Sequence, residues 1–439
     1  MLPCLEGRSS GIGAVFISIG HSSSSTFLAL TMVPSKVLSG IVVVIAFTGT
    51  LASVSESQLP SQAIFVDPRS FAVMGPNADF RNDSFNILFN PTSTTPPFFQ
   101  IFDKRFLTIL GGSASFREIA SDPTFAFAHE APVYNEPTDE VFFSSNDGGP
   151  LGMSDLNHNN VISKISMKEV EAALSANATG PVNVPITQLN LSDSIQMTNG
   201  GTGPYNSSIL LVTSGRGSLP PSIVLVNPLP PYNATVLLDN YFGRQFVSLN
   251  DIKVHPTNGK IFFTDVDYGF LNLFRPAPLM PFQVYRFDPD TSAVRVVADG
   301  FNKPNGIAFT PDGNTAYVSD TGASGGFLGN NLTLPASIYA FDVDPVTHVF
   351  KNRRVLAYAD AGVPDGIQLD SDGNIYSGCA DGTQVWAPDG TLLGKFFLGM
   401  STAEMIFAGD GRLVILAETK MFLAKIAAKS IPLGGPSRT

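Results

Sequence analysis

Three look-alike segments in the second half of the chain constrain its fold more than any other feature: LNDIKVHPTNGKIFFTD (249–265), KPNGIAFTPDGNTAYVSD (303–320) and VPDGIQLDSDGNIYSGC (363–379). Each sets Asn or Asp before an alternating apolar run. A Gly-containing turn follows, then a second run rich in β-branched and aromatic residues. Paired runs around Asn-Gly or Asp-Gly read as a hairpin. A hairpin that recurs along a chain cannot bury its own apolar face and must stack on its copies, and units of four strands build a β-propeller. The expected fold is therefore all-β, a six-bladed β-propeller with a central channel and long inter-blade loops.

Six apolar strands with polar ends support that number: VFFSS (141–145), ILLVTS (209–214), IFFTD (261–265), AYVSD (316–320), IYSGC (375–379) and LVILA (413–417). Their spacing is unequal, which places insertions at 151–200 and 322–337. KISMKEVEAALSANATG (164–180) has a helical period, with Ile165, Val170, Ala173 and Leu174 on one side, and predicts a helix in one of those insertions. No Pro/Ser-rich linker divides residues 56–439, so they are expected to form one propeller, with 56–128 supplying the remaining strands and closing the ring. The dipeptides Asn258-Gly259, Asp312-Gly313, Asp372-Gly373 and Asp410-Gly411 read as hairpin turns without a chemical role. Asp265 and Asp320 end strands and are expected to bond local backbone. His255, before Pro256, is expected in a turn facing solvent.

Charged residues make up 14% of the chain and hydrophobic ones 44%, with 40 Gly and 33 Pro: a turn-rich, core-rich β protein. A formal charge of −11 and the lack of any Lys/Arg run argue against a nucleic-acid partner. VLSGIVVVIAFTGTLA (37–52), preceded by Lys36, reads as the apolar part of a secretory signal peptide over 32–55, starting at Met32, with 1–31 an upstream extension outside the fold. Secretion and N-glycosylation are the expectation, with sequons at Asn82, Asn177, Asn190, Asn206, Asn233 and Asn331, and with no stable membrane association once the signal is removed. Cys4 falls in the leader, which leaves Cys379 alone, a small buried apolar residue without a disulfide partner.

The polar residues inside the repeats carry the function. Asn250, Asn305 and Asp365 are each followed by apolar residues at +2 and +4, and Glu130 in HEAPVYNEPTDEVFFSS (129–145) has Pro132 and Tyr134 at the same offsets. Four blades thus place Glu, Asn, Asn and Asp at one equivalent position at the channel mouth. Such oxygens suit Ca²⁺, which takes carboxylates, amide carbonyls and water, better than zinc, which prefers nitrogen and sulfur.

These same segments resemble the senescence-marker-protein, gluconolactonase and luciferin-regenerating-enzyme-like family over most of 125–420, and its secreted fungal lactonohydrolase branch in particular. The resemblance implies a divalent cation in the channel and hydrolysis of a small-molecule lactone of the aldonolactone or pantolactone type. It implies Glu130, Asn305 and Asp365 as metal ligands and Asn250 as a ligand to metal or substrate. The ion expected is Ca²⁺, with Zn²⁺, Mn²⁺ or Mg²⁺ as substitutes. Asp365 is the first choice for the base that activates water, ahead of His129 and Glu404, both of which are also candidates for substrate contact. Glu404 stands where the family often has Asn. Strand alternation would turn His129 away from the metal, because it directly precedes Glu130. The rival readings are a paraoxonase-like esterase or a strictosidine-synthase-like condensing enzyme on the same scaffold, and a non-catalytic Ca²⁺-binding propeller.

Overall fold

Six four-stranded antiparallel motifs stand around a ring in the computed structural model, which describes residues 59–81 and 88–431. The expected extension 1–31, the signal peptide 32–55, Cys4 and the Asn82 sequon lie outside the described residues. Blade 1 holds Glu130–Asn135, Glu140–Ser144, Ile162–Ser166 and Thr187–Gln188. Blade 2 runs from Thr198–Tyr205 to Ala234–Leu238, blade 3 from Leu249–Val254 to Ala293–Ala298, and blade 4 from Pro304–Phe309 to Phe350–Tyr358. Blade 5 runs from Ile367–Leu369 to Leu392–Phe397. Blade 6 starts with Met405–Phe407 and takes its outermost strand, Ser115–Ser121, from the front of the chain. The inner strands touch in order round the ring, and that of blade 6 meets that of blade 1.

All six strands read from the sequence are present, each as the second strand of its blade. The inner strands of blades 3 and 4 are buried at every residue, whereas the outer strand Ala293–Ala298 is mostly exposed or half-buried. That gradient follows from stacking: an inner strand is covered on both faces by neighbouring blades, an outer one meets water. Apolar side chains fill the seams between blades. Phe99, Phe116, Tyr376, Phe396 and Phe422 share the seam of blades 5 and 6, and Ile252, Val254, Phe263 and Tyr285 that of blades 2 and 3. Front residues also add Phe98–Ile101 and Ala63–Phe65 to the outer edge of blade 5.

Gly259, Gly313, Gly373 and Gly411 all have positive φ, as tight hairpin turns require. Asp265 accepts hydrogen bonds from the Val247 and Ser248 N–H groups, and Asp320 from those of Asn302 and Lys303. Each of these carboxylates ties the end of a second strand to the loop that delivers Asn250 or Asn305 to the channel. Cys379 is buried and free. The five described sequon asparagines are exposed.

Three expectations need correction. The long loops lie within blades and not between them: 145–161 and 321–336 join the second strand to the third of blades 1 and 4, and the expected insertion 151–200 also holds the last two strands of blade 1. The helix is Met167–Ala176, and residues 164–166 finish a strand. Ser166 caps the helix by accepting from the Glu169 N–H (3.3 Å), and Ile165 packs in the sheet, pairing with Val141. Ser-x-x-Glu at 166–169 is the start signal that the apolar period overran. His255 does not face solvent: it is buried between Phe262 and Phe309, with Nε2 3.0 Å from the Gly313 carbonyl oxygen. Among the described residues no helix is long and apolar enough to cross a membrane.

Candidate functional site

Every inner strand of blades 1 to 4 breaks its ladder near its first residue: between Glu130 and Val133, Thr198 and Gly201, Leu249 and Ile252, and Pro304 and Ile307. A bulge of this kind re-aims side chains and recurs beside active sites. Here it turns Asn250 and Asn305 out of the pleat at the same step. Asp365 holds the matching place before Ile367, with its N–H on the Gly378 carbonyl (2.8 Å). In blade 1 the backbone of Ala131 is left-handed (φ 54), an uncommon conformation for a residue with a side chain, and Glu130 precedes it directly.

Glu130 and Asp365 converge, and His129 joins them: one ligand atom from each of the three lies within 4.8 Å of the others. The alternation argument for His129 therefore fails. His129 lies just outside the strand Glu130–Asn135, where the two-residue period does not apply. Its Nδ1 is 2.6 Å from Glu418 Oε1, and its Nε2 is 3.5 Å from Glu130 Oε1. Asn146 braces the pair by donating from Nδ2 to Glu418 Oε2 (3.0 Å). Neither Glu418 nor Asn146 belongs to a repeated motif, so no sequence pattern announced them.

Asn199 is a further residue of the ring that carries no motif in the sequence. It occupies in blade 2 the bulge position of Asn250 and Asn305, but Gly201 and Gly203 replace the apolar residues that mark the other repeats. Its Nδ2 donates to Asp147 Oδ2 (3.2 Å), leaving its buried Oδ1 without a partner. Asp147 also receives the Ser214 hydroxyl (3.5 Å).

The electrostatics are those of crowded buried acids. Burial, then the neighbouring carboxylate of Asp365, pushes Glu130 well above the usual range. Burial raises Asp365 to about 6 against the pull of His129 and of the Asn305 side chain, which hydrogen-bonds it. Asp147 is likewise raised to about 6 by burial. His129 is raised to about 9: burial opposes its charge, but the Glu418 carboxylate outweighs it.

Asp365 Oδ1 is buried and unpartnered, as is Asn199 Oδ1. Unpaired buried oxygens beside several carboxylates cost stability unless a cation takes them. The donor set of Glu130, Asp365 and the ring amides fits a hard divalent cation.

Glu404 lies one step further along its inner strand, near enough to Glu130 and Asp365 for the charges to act on one another. It comes one residue before Met405, whereas Asn305 and Asp365 come two before Ile307 and Ile367. Its buried carboxylate packs on Gly366, leaving no room there for a Cβ. Burial and the Asp251 carboxylate raise its pKa, and Lys253 counters them. Lys253 is itself buried, with Nζ 3.2 Å from Asp251 Oδ1. A second, deeper charge group thus lies behind the ring. Residues 322–326 spell Gly-Ala-Ser-Gly-Gly, but they lie in a loop after a strand end, and Ser324 there hydrogen-bonds Tyr268. That is not the strand-to-helix elbow a nucleophilic serine requires.

Comparison with known proteins agrees with this architecture. Residues 188–417 match the model of the SMP-30/gluconolactonase/LRE-like region. The chain is 30% identical to the lactonohydrolase oryL of Aspergillus oryzae, covering 68% of this chain and 67% of that protein. It is 31% identical to a gluconolactonase of Zymomonas mobilis over 39% of this chain and 48% of that one. Among solved structures, a gluconolactonase of Xanthomonas campestris superposes with a TM-score of 0.58 at 22% identity, covering 75% of this chain and 94% of that one. A luciferin-regenerating enzyme superposes with a TM-score of 0.52 at 13% identity, covering 73% and 98%. At such identities the two structures speak for the fold alone. Sequence and fold together place the chain in the SMP-30/gluconolactonase/LRE-like family.

Proposed function

We propose that the protein is a metal-dependent hydrolase that opens the ring of hydroxy-acid lactones, acting outside the cell after removal of the 32–55 leader. The convergence of His129, Glu130 and Asp365 at the channel mouth, with Asp365 Oδ1 unpartnered, carries this reading. The lactonohydrolase and gluconolactonase relatives support the substrate class. Glu130, Asn305 and Asp365 would hold the cation, with Asn250 and Asn199 completing the oxygen set or meeting the substrate. Oxygen donors favour Ca²⁺, with Mg²⁺, Mn²⁺ or Zn²⁺ as substitutes. Once bound, the cation supplies Lewis-acid polarisation of the ester carbonyl.

The remaining chemistry belongs to the chain. Asp365 accepts the proton of the attacking water as that oxygen bonds to the carbonyl carbon. When the ring C–O bond breaks, the leaving alkoxide needs a proton. His129, held at Nδ1 by Glu418, presents Nε2 on the same side as Glu130 and Asp365 and is placed to deliver it. Glu404 is assigned the deeper charge group, not the substrate.

The test is acid release from aldonolactones and pantolactone with Ca²⁺, after chelation, and after Ca²⁺ is restored. Turnover that vanishes and returns is expected, and Asp365→Asn should lower kcat by about 10²–10⁴-fold, the usual worth of a positioned base. Full activity in the chelated protein would exclude the metal mechanism.

A further inference from the structure

Three long loops, 145–161, 266–282 and 321–336, follow the second strands of blades 1, 3 and 4. They leave the sheets at Ser144, Asp265 and Asp320, which pair with the bulged starts of the inner strands, so they rise from the same end as the site. Their tips are apolar. Met153, Leu156, Leu273, Phe327 and Leu328 are each more than half exposed.

They fall into two groups, one around a cavity and one beside it; Ser154, Asn157 and Asn272 add polar groups to the cavity lining. Met153, Leu156 and Leu273 line a cavity of about 640 Å³. The short helix Tyr268–Leu271 leads into Leu273 and rests on the turn Gly326–Leu328, where the Phe270 and Phe327 rings meet edge-on at 5.6 Å. The cavity also borders the site. Asn272, in the cavity lining, donates from Nδ2 to the Asp147 carbonyl oxygen (3.1 Å), and the Asp147 carboxylate lies against Asn199. Tyr268 hydrogen-bonds Thr321, so the helix is tied at its start to the loop 321–336, and Leu273 beyond its end is exposed.

We infer that this cavity is a subsite for an apolar substituent, so that the preferred lactone carries an alkyl or aryl chain on its ring and not a row of hydroxyls. The inference rests on the lactonase reading above and narrows its substrate class. The volume falls in the range that encloses a drug-sized ligand and exceeds what a small ring alone would occupy. An apolar rim left open to water marks a ligand-binding surface, and here it adjoins the reacting centre. The ionisable groups of the lining are Asp155 and His158, which pair with each other at 2.9 Å. No unengaged cation in that lining recruits an acidic substituent.

The experiment uses the full-length Ca²⁺-loaded protein and a series of γ-lactones with one ring and a side chain lengthened from hydrogen to heptyl, alongside glucono-δ-lactone. KM is expected to fall on the order of 10- to 100-fold across the series, since each buried methylene favours binding. In Met153→Ser/Leu273→Ser the ratio of kcat/KM for the heptyl over the unsubstituted lactone should collapse by about tenfold or more. Melting temperature serves as the check that this surface variant is folded. Hydrolysis of glucono-δ-lactone with no dependence on chain length, or a ratio that survives the double substitution, overturns the subsite alone. Failure to hydrolyse any lactone, substituted or not, overturns the lactonase reading and the subsite with it.

Discussion

At the scale of single residues, His255 shows how burial can decide chemistry where the local sequence suggests a solvent-facing turn. Burial, aided by the nearby His348 charge and opposed by the hydrogen bond to Gly313, lowers its pKa to about 4. The folded protein thus holds His255 neutral where the unfolded chain would take a proton, because an exposed imidazole titrates near 6.5. A folded pKa below the unfolded one means stability is intact above about pH 6.5 and is lost as pH falls toward 4. The full loss from this one group would be about 3 kcal/mol. His255→Gln keeps a polar side chain but cannot titrate, so its unfolding free energy should fall less steeply between pH 7 and 4.5 than that of the parent. Urea melts at a series of pH values measure it, and parallel slopes would refute it. Tertiary packing explains why the sequence misplaced this ring: Pro256 does mark a turn, but Phe309 of the next blade closes over it.

At the scale of elements, the strand Ser115–Ser121 closes the ring by pairing with Lys420–Lys425, some three hundred residues away in sequence. Phe116 anchors it, with ring centroids 5.7 Å from Phe99, 5.6 Å from Phe396 and 5.7 Å from Phe422. The Gln62 side chain bonds both the N–H and the carbonyl of Phe116. Because this ring joins blades 5 and 6 and the front segment, Phe116→Ala should cost about 3–5 kcal/mol, read as a lower midpoint in denaturant. A loss under 1 kcal/mol would mean the closure does not hold the ring. Such pairings explain what could be read in advance. The second strands and their hairpin turns were legible because period, apolar alternation and turn chemistry all lie within about twenty residues. The strands at Ala63–Phe65 and Phe98–Ile101 were not, since they carry no repeat and find partners only through the fold. The site divides along the same line. Glu130, Asn250, Asn305 and Asp365 stood inside repeats. Asn199 was hidden by glycines at its +2 and +4 positions, and Glu418 by having no motif at all.

At the scale of the whole molecule, the chain is acidic, with a formal charge of −11, and part of that excess is buried at its axis. Glu130, Asp147 and Asp365 crowd the mouth, and Asp251 and Glu404 lie behind them with Lys253 as their cation. Such a centre is a liability without an ion, because desolvated carboxylates repel one another and Asp365 Oδ1 has no partner. A cation that binds only the folded ring converts the liability into stability by mass action, about 2.7 kcal/mol at a hundredfold excess over Kd. In a chain of this size that corresponds to a rise of a few degrees in melting temperature. Asp365→Asn offers a sharper discrimination than loss of activity. It removes a ligand charge and also one of the repelling carboxylates, so the chelated variant should melt at or above the chelated parent. On adding Ca²⁺ the order should reverse, as the parent gains stability and the variant gains little. Calorimetry of both proteins across a Ca²⁺ titration reads the crossing. Curves that rise together would place the stabilising ion elsewhere, and curves that stay flat would mean that the buried acids are neutralised by their own protons and no cation links the blades.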